Sequence, residues 1–414
     1  MSSRVFITFL LVFITFNALA LSLDQQLRLI INEYDLKSET CSINKDLINE
    51  RLTPIGEIVF NTPVLSGNKD TSCSTCHIEN KHLTDGLSIS IGVGGDGEGQ
   101  LRMSSGGIIV PRNSFTLFGR ASSHYQTFFW DGKVQEVNGK IYSPIGEGYA
   151  LGFGSTLAVA AVLPILARDE FLGLQSLTQS NPNLNQINEV YYGEKLGAAN
   201  NVLRQIVSAP KDENSKKLAQ ALLEAGVKEP DIQTIGNSLA SFIAKRVQQC
   251  QPTHWDKYIS GESSALTDKQ KQGAVIFYGK GRCAGCHSGS LFTDFKFHSI
   301  GAPQGEFGPY IHRQDIGRAN VTYRLEDRFR FRTPPLIHVT KTAPYGHNGE
   351  FKTIEEIVLF HINPIPYFAE NGWTSKRELL QYGKILSTRS EMLGFIDIST
   401  KEEMDELLQF LLAL

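Results

Sequence analysis

Apolar residues gather along this chain in stretches of different period, and each period predicts a different element. Val5 to Phe16 is a nearly unbroken apolar run behind Arg4 and ahead of Ala18-Leu19-Ala20. A thin basic region, a short apolar core and a small-x-small site predict a secretory signal peptide over 1–20, cleaved near Ala20. The run is short for an uncleaved membrane anchor, the alternative reading. Residues 21–51 read as a polar, partly helical arm. Leu157 to Leu163 is apolar throughout and stops at Pro164, and Leu218 to Val227 and Ile235 to Val247 carry apolar residues at helical spacing. The region 155–262 is therefore read as helical scaffold.

Two short helices repeat one pattern. Gly56-Glu57-Ile58-Val59-Phe60 and Gly273-Ala274-Val275-Ile276-Phe277 both read G-x-x-x-F, and each comes just ahead of a cysteine pair. For the second, Thr267 is the predicted N-cap and Gly279 the predicted stop. Near the C-terminus, Thr353-Ile354-Glu355-Glu356 has the form of a capping box. Ile354, Ile357, Val358 and His361 then share one helical face, which turns His361 the way the aliphatics point. A lone histidine there is ordinarily a hydrogen-bonded core residue or a complement to the helix dipole. The glycine-rich stretch from Asp85 to Gly107 predicts a loop, and Phe128-Phe129-Trp130-Asp131-Gly132 an aromatic cluster ending in a turn.

Composition adds little beyond limits. A chain of 414 residues is long enough for two or three domains. A net charge of -3 leaves no basic footprint, so no nucleic-acid partner is expected.

The cysteines change the picture. Cys73-Ser74-Thr75-Cys76-His77 and Cys283-Ala284-Gly285-Cys286-His287 are two copies of C-x-x-C-H, the covalent attachment pattern of a c-type haem. Each thiol adds to one vinyl group, and the adjacent imidazole becomes the proximal iron ligand. Neither pair has the second cysteine pair or spaced histidines of a zinc site. The other two cysteines, Cys41 and Cys250, suggest a disulfide in an oxidising compartment, the alternative being two buried thiols. The six arginines between Arg313 and Arg332 form a charged surface or supply cationic partners for haem propionates.

These elements predict a mainly α fold with two cytochrome c-like haem domains and a longer helical insertion between them. Residues 52–154 form the N-terminal haem domain and 263–414 the C-terminal one.

Several segments resemble the bacterial di-haem cytochrome c peroxidase and MauG superfamily. They are Leu65-Ser66-Gly67 leading to the first C-x-x-C-H, Arg112-Asn113, Phe129-Trp130-Asp131-Gly132, Gly279 through His287, Asp315-Ile316-Gly317-Arg318, Phe331-Arg332-Thr333-Pro334-Pro335-Leu336, and Thr342-Ala343-Pro344-Tyr345-Gly346-His347-Asn348-Gly349. The resemblance implies a periplasmic oxidoreductase. Its N-terminal haem, with His77 proximal, meets hydrogen peroxide, and its C-terminal haem, with His287 proximal, transfers electrons. The sixth ligand of the second haem, a methionine or tyrosine in the family, falls on His361, fourteen residues after His347. A calcium ion between the haems would take Asn113 and the carbonyls of Thr342 and Pro344, hard oxygen donors suited to it. Implied partners are a small electron-donor protein (a cytochrome c or cupredoxin) or an exported protein substrate; homodimers are common in the family.

The chain also departs from the family pattern. The distal histidine of some peroxidases falls on Val93, which cannot ligate, so the first haem is expected to be open. The family's distal glutamate falls on Asn138 and its distal glutamine on Phe128. Asparagine cannot shuttle a proton, which leaves Glu136, two residues away, as the stand-in. Leu-Arg-Asn becomes Leu336-Ile337-His338. Three functions follow as expectations: a peroxidase, a MauG-like enzyme oxidising side chains of a partner protein, or a di-haem electron carrier without catalysis.

Overall fold

The computed structural model describes residues 21–173, 187, 192–304, 314–370 and 375–414. The signal peptide expected over 1–20, and Arg313, lie outside the described residues. The described chain is mainly helical, and no helix in it is long and apolar enough to cross a membrane.

The two G-x-x-x-F segments lie on the helices Thr53–Asn61 and Asp268–Tyr278. Each packs across a later helix, Ile232–Val247 in the first case and Lys401–Leu411 in the second. The glycines permit the crossing. A Cβ on Gly56 would stand 2.0 Å from the Ser238 carbonyl oxygen, and one on Gly273 would stand 1.9 Å from that of Glu406. Phe60 and Phe277 are buried one turn on; full burial of such a ring contributes about 1.5–3 kcal/mol. The repeat thus encodes one packing unit used twice, a helix entering the cysteine pair and a second helix crossing it at glycine.

Two buried clusters follow. One joins Ile55, Val59 and Phe60 with Leu157–Leu166 and the Ile232–Val247 helix. The other joins Phe277, Phe360 and Phe410 with Trp255 and Tyr258, and with Leu27 of the helix Leu23–Glu33. A Cys41–Cys250 disulfide ties the N-terminal arm to the segment between the clusters, as the leftover pair suggested.

Strands are few and short. Thr127–Phe128, Val134–Val137 and Lys140–Tyr142 form an antiparallel sheet in that order. Val137 pairs with Lys140, so Asn138 and Gly139 are its two-residue turn, both left-handed at φ 52° and 73°. Asn-Gly is the preferred sequence for such a turn, whose twist matches that of the flanking strands. Phe297–His298 pairs with Phe331–Arg332.

The Phe129–Gly132 turn is held from the C-terminal half of the chain. Arg318 Nη1 donates to the Asp131 and Gly132 carbonyls, and its Nη2 donates to Gln135 Oε1. Arg112, partly buried, bridges the buried Asp131 at 2.6 Å and Asp315 at 2.6 Å. Burial raises both carboxyls, but the guanidinium between them more than reverses it and holds both below the usual range.

Candidate haem sites

The first C-x-x-C-H begins on a single helical turn, Cys73–Cys76, with Ser72 as its capping residue. The second begins on a tighter turn, Cys283–Gly285. All four cysteines are unpaired, and burial pushes the thiols of Cys73 and Cys283 up to about 12. That of Cys76 is likewise pushed up by burial.

Each following histidine is fixed the same way. His77 Nδ1 lies 2.9 Å from the Leu83 carbonyl oxygen, and His287 Nδ1 lies 3.1 Å from that of Phe292. A carbonyl accepts only, so Nδ1 carries the proton and Nε2 keeps its lone pair for a metal. Burial lowers both imidazoles to about 4, which favours the neutral form a ligand needs. Phe60 and Phe115 flank the His77 ring with centroids at 6.5 Å and 6.2 Å.

Helix Ile354–Ile362 has Thr353 as its cap with Glu356 reciprocating, as the sequence predicted. His361, in its last turn, places Nδ1 2.7 Å from the Ile357 carbonyl oxygen, again leaving Nε2 free. It lines one cavity together with His287, Cys283 and Cys286, and the two imidazoles are close enough that His361 disfavours a proton on His287. The helical-face argument therefore delivers His361 to the second haem motif.

The cavity beside Cys73, Cys76 and His77 is about 980 Å³. Among the described residues, His77 is its one lining imidazole, and no methionine lines it. Val93 is fully buried. His124 is largely exposed beside Glu39, and Met103 meets Gln100.

A haem also brings two carboxylates, and two buried arginines fit them. Arg120 and Arg332 are 2 % and 1 % exposed, and neither has a carboxylate partner among the described residues. Among the described residues Arg120 Nη1 has no hydrogen-bond partner, and the guanidinium lies over the Phe115 and Tyr125 rings. Burial, then the neighbouring Arg332, pulls Arg120 well below the ordinary guanidinium value, and burial pulls Arg332 down to about 9. Both line the cavity of His287, and Arg120 also lines that of His77. Two unpaired buried cations are costly alone, so the residues present fit a dianionic porphyrin edge. Arg332 lies in the arginine-rich run already singled out. Arg120 escaped notice because nothing in the sequence marks a cation without a counterion.

The three residues matched to calcium are brought together, since Asn113, Thr342 and Pro344 line one cavity. Asn113 Nδ2 donates to the Leu87 carbonyl, which leaves its Oδ1 available. Cys286, Asp294 and His298 also converge, with His298 Nε2 2.8 Å from Asp294 Oδ2. That cluster uses a thiol of the second attachment motif.

The two distal candidates are not brought to the first cavity. Asn138 is exposed at the tip of its hairpin. Glu136 accepts hydrogen bonds from Thr156 Oγ1 at 3.0 Å and Tyr149 Oη at 3.3 Å. Side chains alternate along a strand, and it is Lys133 and Gln135 that line the cavity. The Asn-Gly dipeptide was the available signal for this hairpin. Phe128 does line the cavity.

The family model for di-haem cytochrome c peroxidase matches residues 50–264, just over half of the chain. Cytochrome c peroxidase IdrP1 of Pseudomonas sp. strain SCT is 25% identical over 375 residues, covering 84% of this chain and 80% of its own length. The methylamine utilization protein MauG of Methylorubrum extorquens is 26% identical over 321 residues, covering 75% and 69%. Among solved structures, the diheme peroxidase BthA from Burkholderia thailandensis superposes with a TM-score of 0.60 at 19% identity, covering 89% of this chain and 86% of that one.

Proposed function

We propose that this chain, which belongs to the di-haem cytochrome c peroxidase family, is an exported di-haem c-type oxidoreductase that reduces hydrogen peroxide at the His77 haem and draws electrons through the His287 haem. The observation that carries this reading is the asymmetry of the two cavities. Among the four histidines that line the second cavity, His287 and His361 each have Nδ1 tied to a carbonyl and Nε2 free, whereas His77 is the one imidazole described in the first. Two axial ligands leave an iron no position for substrate, whereas one ligand leaves a position open.

In this reading Cys73 and Cys76 anchor the first haem and Cys283 and Cys286 the second. His77, His287 and His361 ligate iron, and Arg120 and Arg332 receive propionates. The haems supply the redox chemistry of peroxide reduction. The chain's own share is positioning: the Leu83, Phe292 and Ile357 carbonyls fix the imidazoles, and buried apolar walls exclude water. Asn113, Thr342 and Pro344 hold a calcium ion between the haem domains, placed at 52–154 and 263–414 with helical scaffold over 155–262. Export over a signal peptide at 1–20 to the periplasm agrees with the Cys41–Cys250 disulfide, a bond of oxidising compartments. The electron source is a small donor protein.

The test is low-temperature EPR of the oxidised, haem-loaded protein, followed by peroxide addition. One high-spin and one bis-histidine low-spin signal, with a peroxide-dependent change of the high-spin haem and donor oxidation, support the reading. Two low-spin signals and no response to peroxide would overturn it in favour of an electron carrier. Oxidation of a co-expressed exported protein, without turnover of a small donor, would favour the MauG-like alternative.

A further inference from the structure

Peroxide reduction needs a group that moves a proton between the two oxygens, and the hairpin carries Glu136 and Asn138 away from the cavity. The cavity is not without a carboxylate. Glu170 lines it, from a wide turn at Arg168–Leu172 in which Leu172 N–H donates to the Ala167 carbonyl, five residues back. Such wide turns are rare and concentrate at functional sites. The turn is held rigidly against the loop beside the cysteine pair. Val93 N–H donates to the Asp169 carbonyl and Gly67 N–H to that of Phe171. A Cβ on Gly92 would lie 1.9 Å from the Asp169 oxygen, so only glycine allows this approach.

Glu170 is partly buried, has no hydrogen-bond or ion-pair partner among the described residues, and adds to the upward shift of the Cys73 and Cys76 thiols. Lys133 lines the same cavity and acts electrostatically on Glu170, its Nζ 4.3 Å from the Phe129 ring centroid and without a carboxylate partner among the described residues. An unpartnered carboxylate and an unpartnered ammonium thus share the space where a small polar substrate would bind.

Resting on the peroxidase reading, we propose that Glu170 is the catalytic acid–base residue of the His77 cavity and that Lys133 tunes it. Hydrogen peroxide, two electrons from the reduced donor and two protons give two waters. The Glu170 carboxylate would accept a proton from one peroxide oxygen and return it to the other, with the haem held by His77 supplying the electrons. The O–O bond then breaks with water as the leaving group rather than hydroxide.

Burial raises the Glu170 carboxyl, Lys133 lowers it and Asp169 raises it. The other charged groups on the cavity walls are Arg168, paired with Asp169; Lys195, which donates to the Leu166 carbonyl; Arg112, paired with Asp131; and Arg120. Of these cations, Lys133 is the one that acts on Glu170. The base form is needed, so the peroxide step gains rate as pH rises through the Glu170 value. Loss of Lys133 moves that limb to higher pH.

The experiment compares haem-loaded wild type with Glu170→Gln, Glu170→Asp and Lys133→Met. Stopped-flow rates with hydrogen peroxide and with cyanide are measured across pH, with haem content and spectrum confirming intact loading. Cyanide enters as HCN and must also lose a proton, so its association reads the same base without turnover. Glu170→Gln is expected to slow the peroxide step about 10²-fold or more, to slow cyanide association and to erase the acidic limb. Glu170→Asp should restore part of the rate. Peroxide and cyanide rates for Glu170→Gln within about twofold of wild type, with the limb intact, would overturn the proposal. If wild type ignores peroxide but cyanide association still depends on Glu170, the peroxidase reading fails and the proton-acceptor assignment stands.

Discussion

Replacing Arg112 with methionine tests what joins the two halves of the chain. The guanidinium meets Asp315 through Nε at 2.6 Å and Nη2 at 2.9 Å, and Asp131 through Nη1 at 2.6 Å. Its side chain is 16% exposed, and those of Asp131 and Asp315 are 7% and 5% exposed, so solvent does little to soften the loss. Methionine fills much of the volume but strands two buried carboxylates. Removing one partner of a buried pair costs about 3–5 kcal/mol, mostly from the charge left uncompensated. Because both carboxylates depend on one cation, the loss should reach at least that range at neutral pH. The pH dependence has a definite sign. In wild type the two aspartates have lowered folded values, so their contribution is full above the unfolded carboxyl value, near 3.9, and is lost as pH falls through the folded values. In the variant burial, which raises both, is opposed only by Lys133 at Asp131 and by His347 and the Gly317 N–H at Asp315, so the penalty exists above the unfolded value and is relieved below it. The gap between the proteins should therefore close as pH drops below about 4. Urea unfolding of the haem-loaded proteins, followed by tryptophan emission and the Soret band at fixed ionic strength, measures it. A gap under about 1 kcal/mol at pH 7, the worth of an exposed ion pair, would refute the claim that this buried triad clamps the halves. So would a gap unchanged down to pH 3.5.

Other expectations follow from the same geometry. His361→Ala should convert the low-spin signal of the second haem to high-spin, and His361→Met should raise its potential, since a thioether ligand favours ferrous iron; an unchanged EPR spectrum removes His361 from the iron. The Cys41–Cys250 bond spans 209 residues, and chain entropy puts its loss in the double serine variant at up to about 5 kcal/mol. Denaturant unfolding checks this, and a loss under about 1 kcal/mol would show that the arm is held without it. Arg332→Met should stabilise the haem-free chain by removing an unpaired buried cation yet weaken the haem-loaded one; thermal unfolding of both forms must show opposite signs, and a change of the same sign in both counts against propionate binding.

The parts of this molecule most legible in the sequence are those whose chemistry is local. C-x-x-C-H announces its cofactor because spacing alone brings two thiols and an imidazole to one porphyrin edge. Thr353 and Glu356 mark the start of a helix, and its 3.6-residue period then aims His361 before any fold is known. The G-x-x-x-F repeat was visible, but its reason was not. Gly56 and Gly273 are small because Ser238 and Glu406, far along the chain, cross them closely. The hairpin after Gly132 is hidden for another reason. Matching Asn138 to a glutamate position assumed that the backbone there kept the family's path, while Asn138-Gly139 specified a tight reversal through its own left-handed preference. Glu170 is invisible to any local rule, since what distinguishes it is the partner it lacks.

That kind of signal recurs throughout the molecule. A chain selected only to fold would not leave Arg120 and Arg332 side by side in its interior without an anion, because each buried charge without a counterion costs free energy. Elsewhere the same interior gives a partly buried cation its counterions, matching Arg112 to two aspartates. The two buried arginines without a carboxylate both line cavities beside the C-x-x-C-H motifs. Three imidazoles with one nitrogen tied to a carbonyl and the other facing a cavity repeat the point in neutral form. The fold is complete only with its prosthetic groups. In the proposed reading the arginines would meet haem propionates, whereas Glu170 and Lys133 would stay free to meet a substrate.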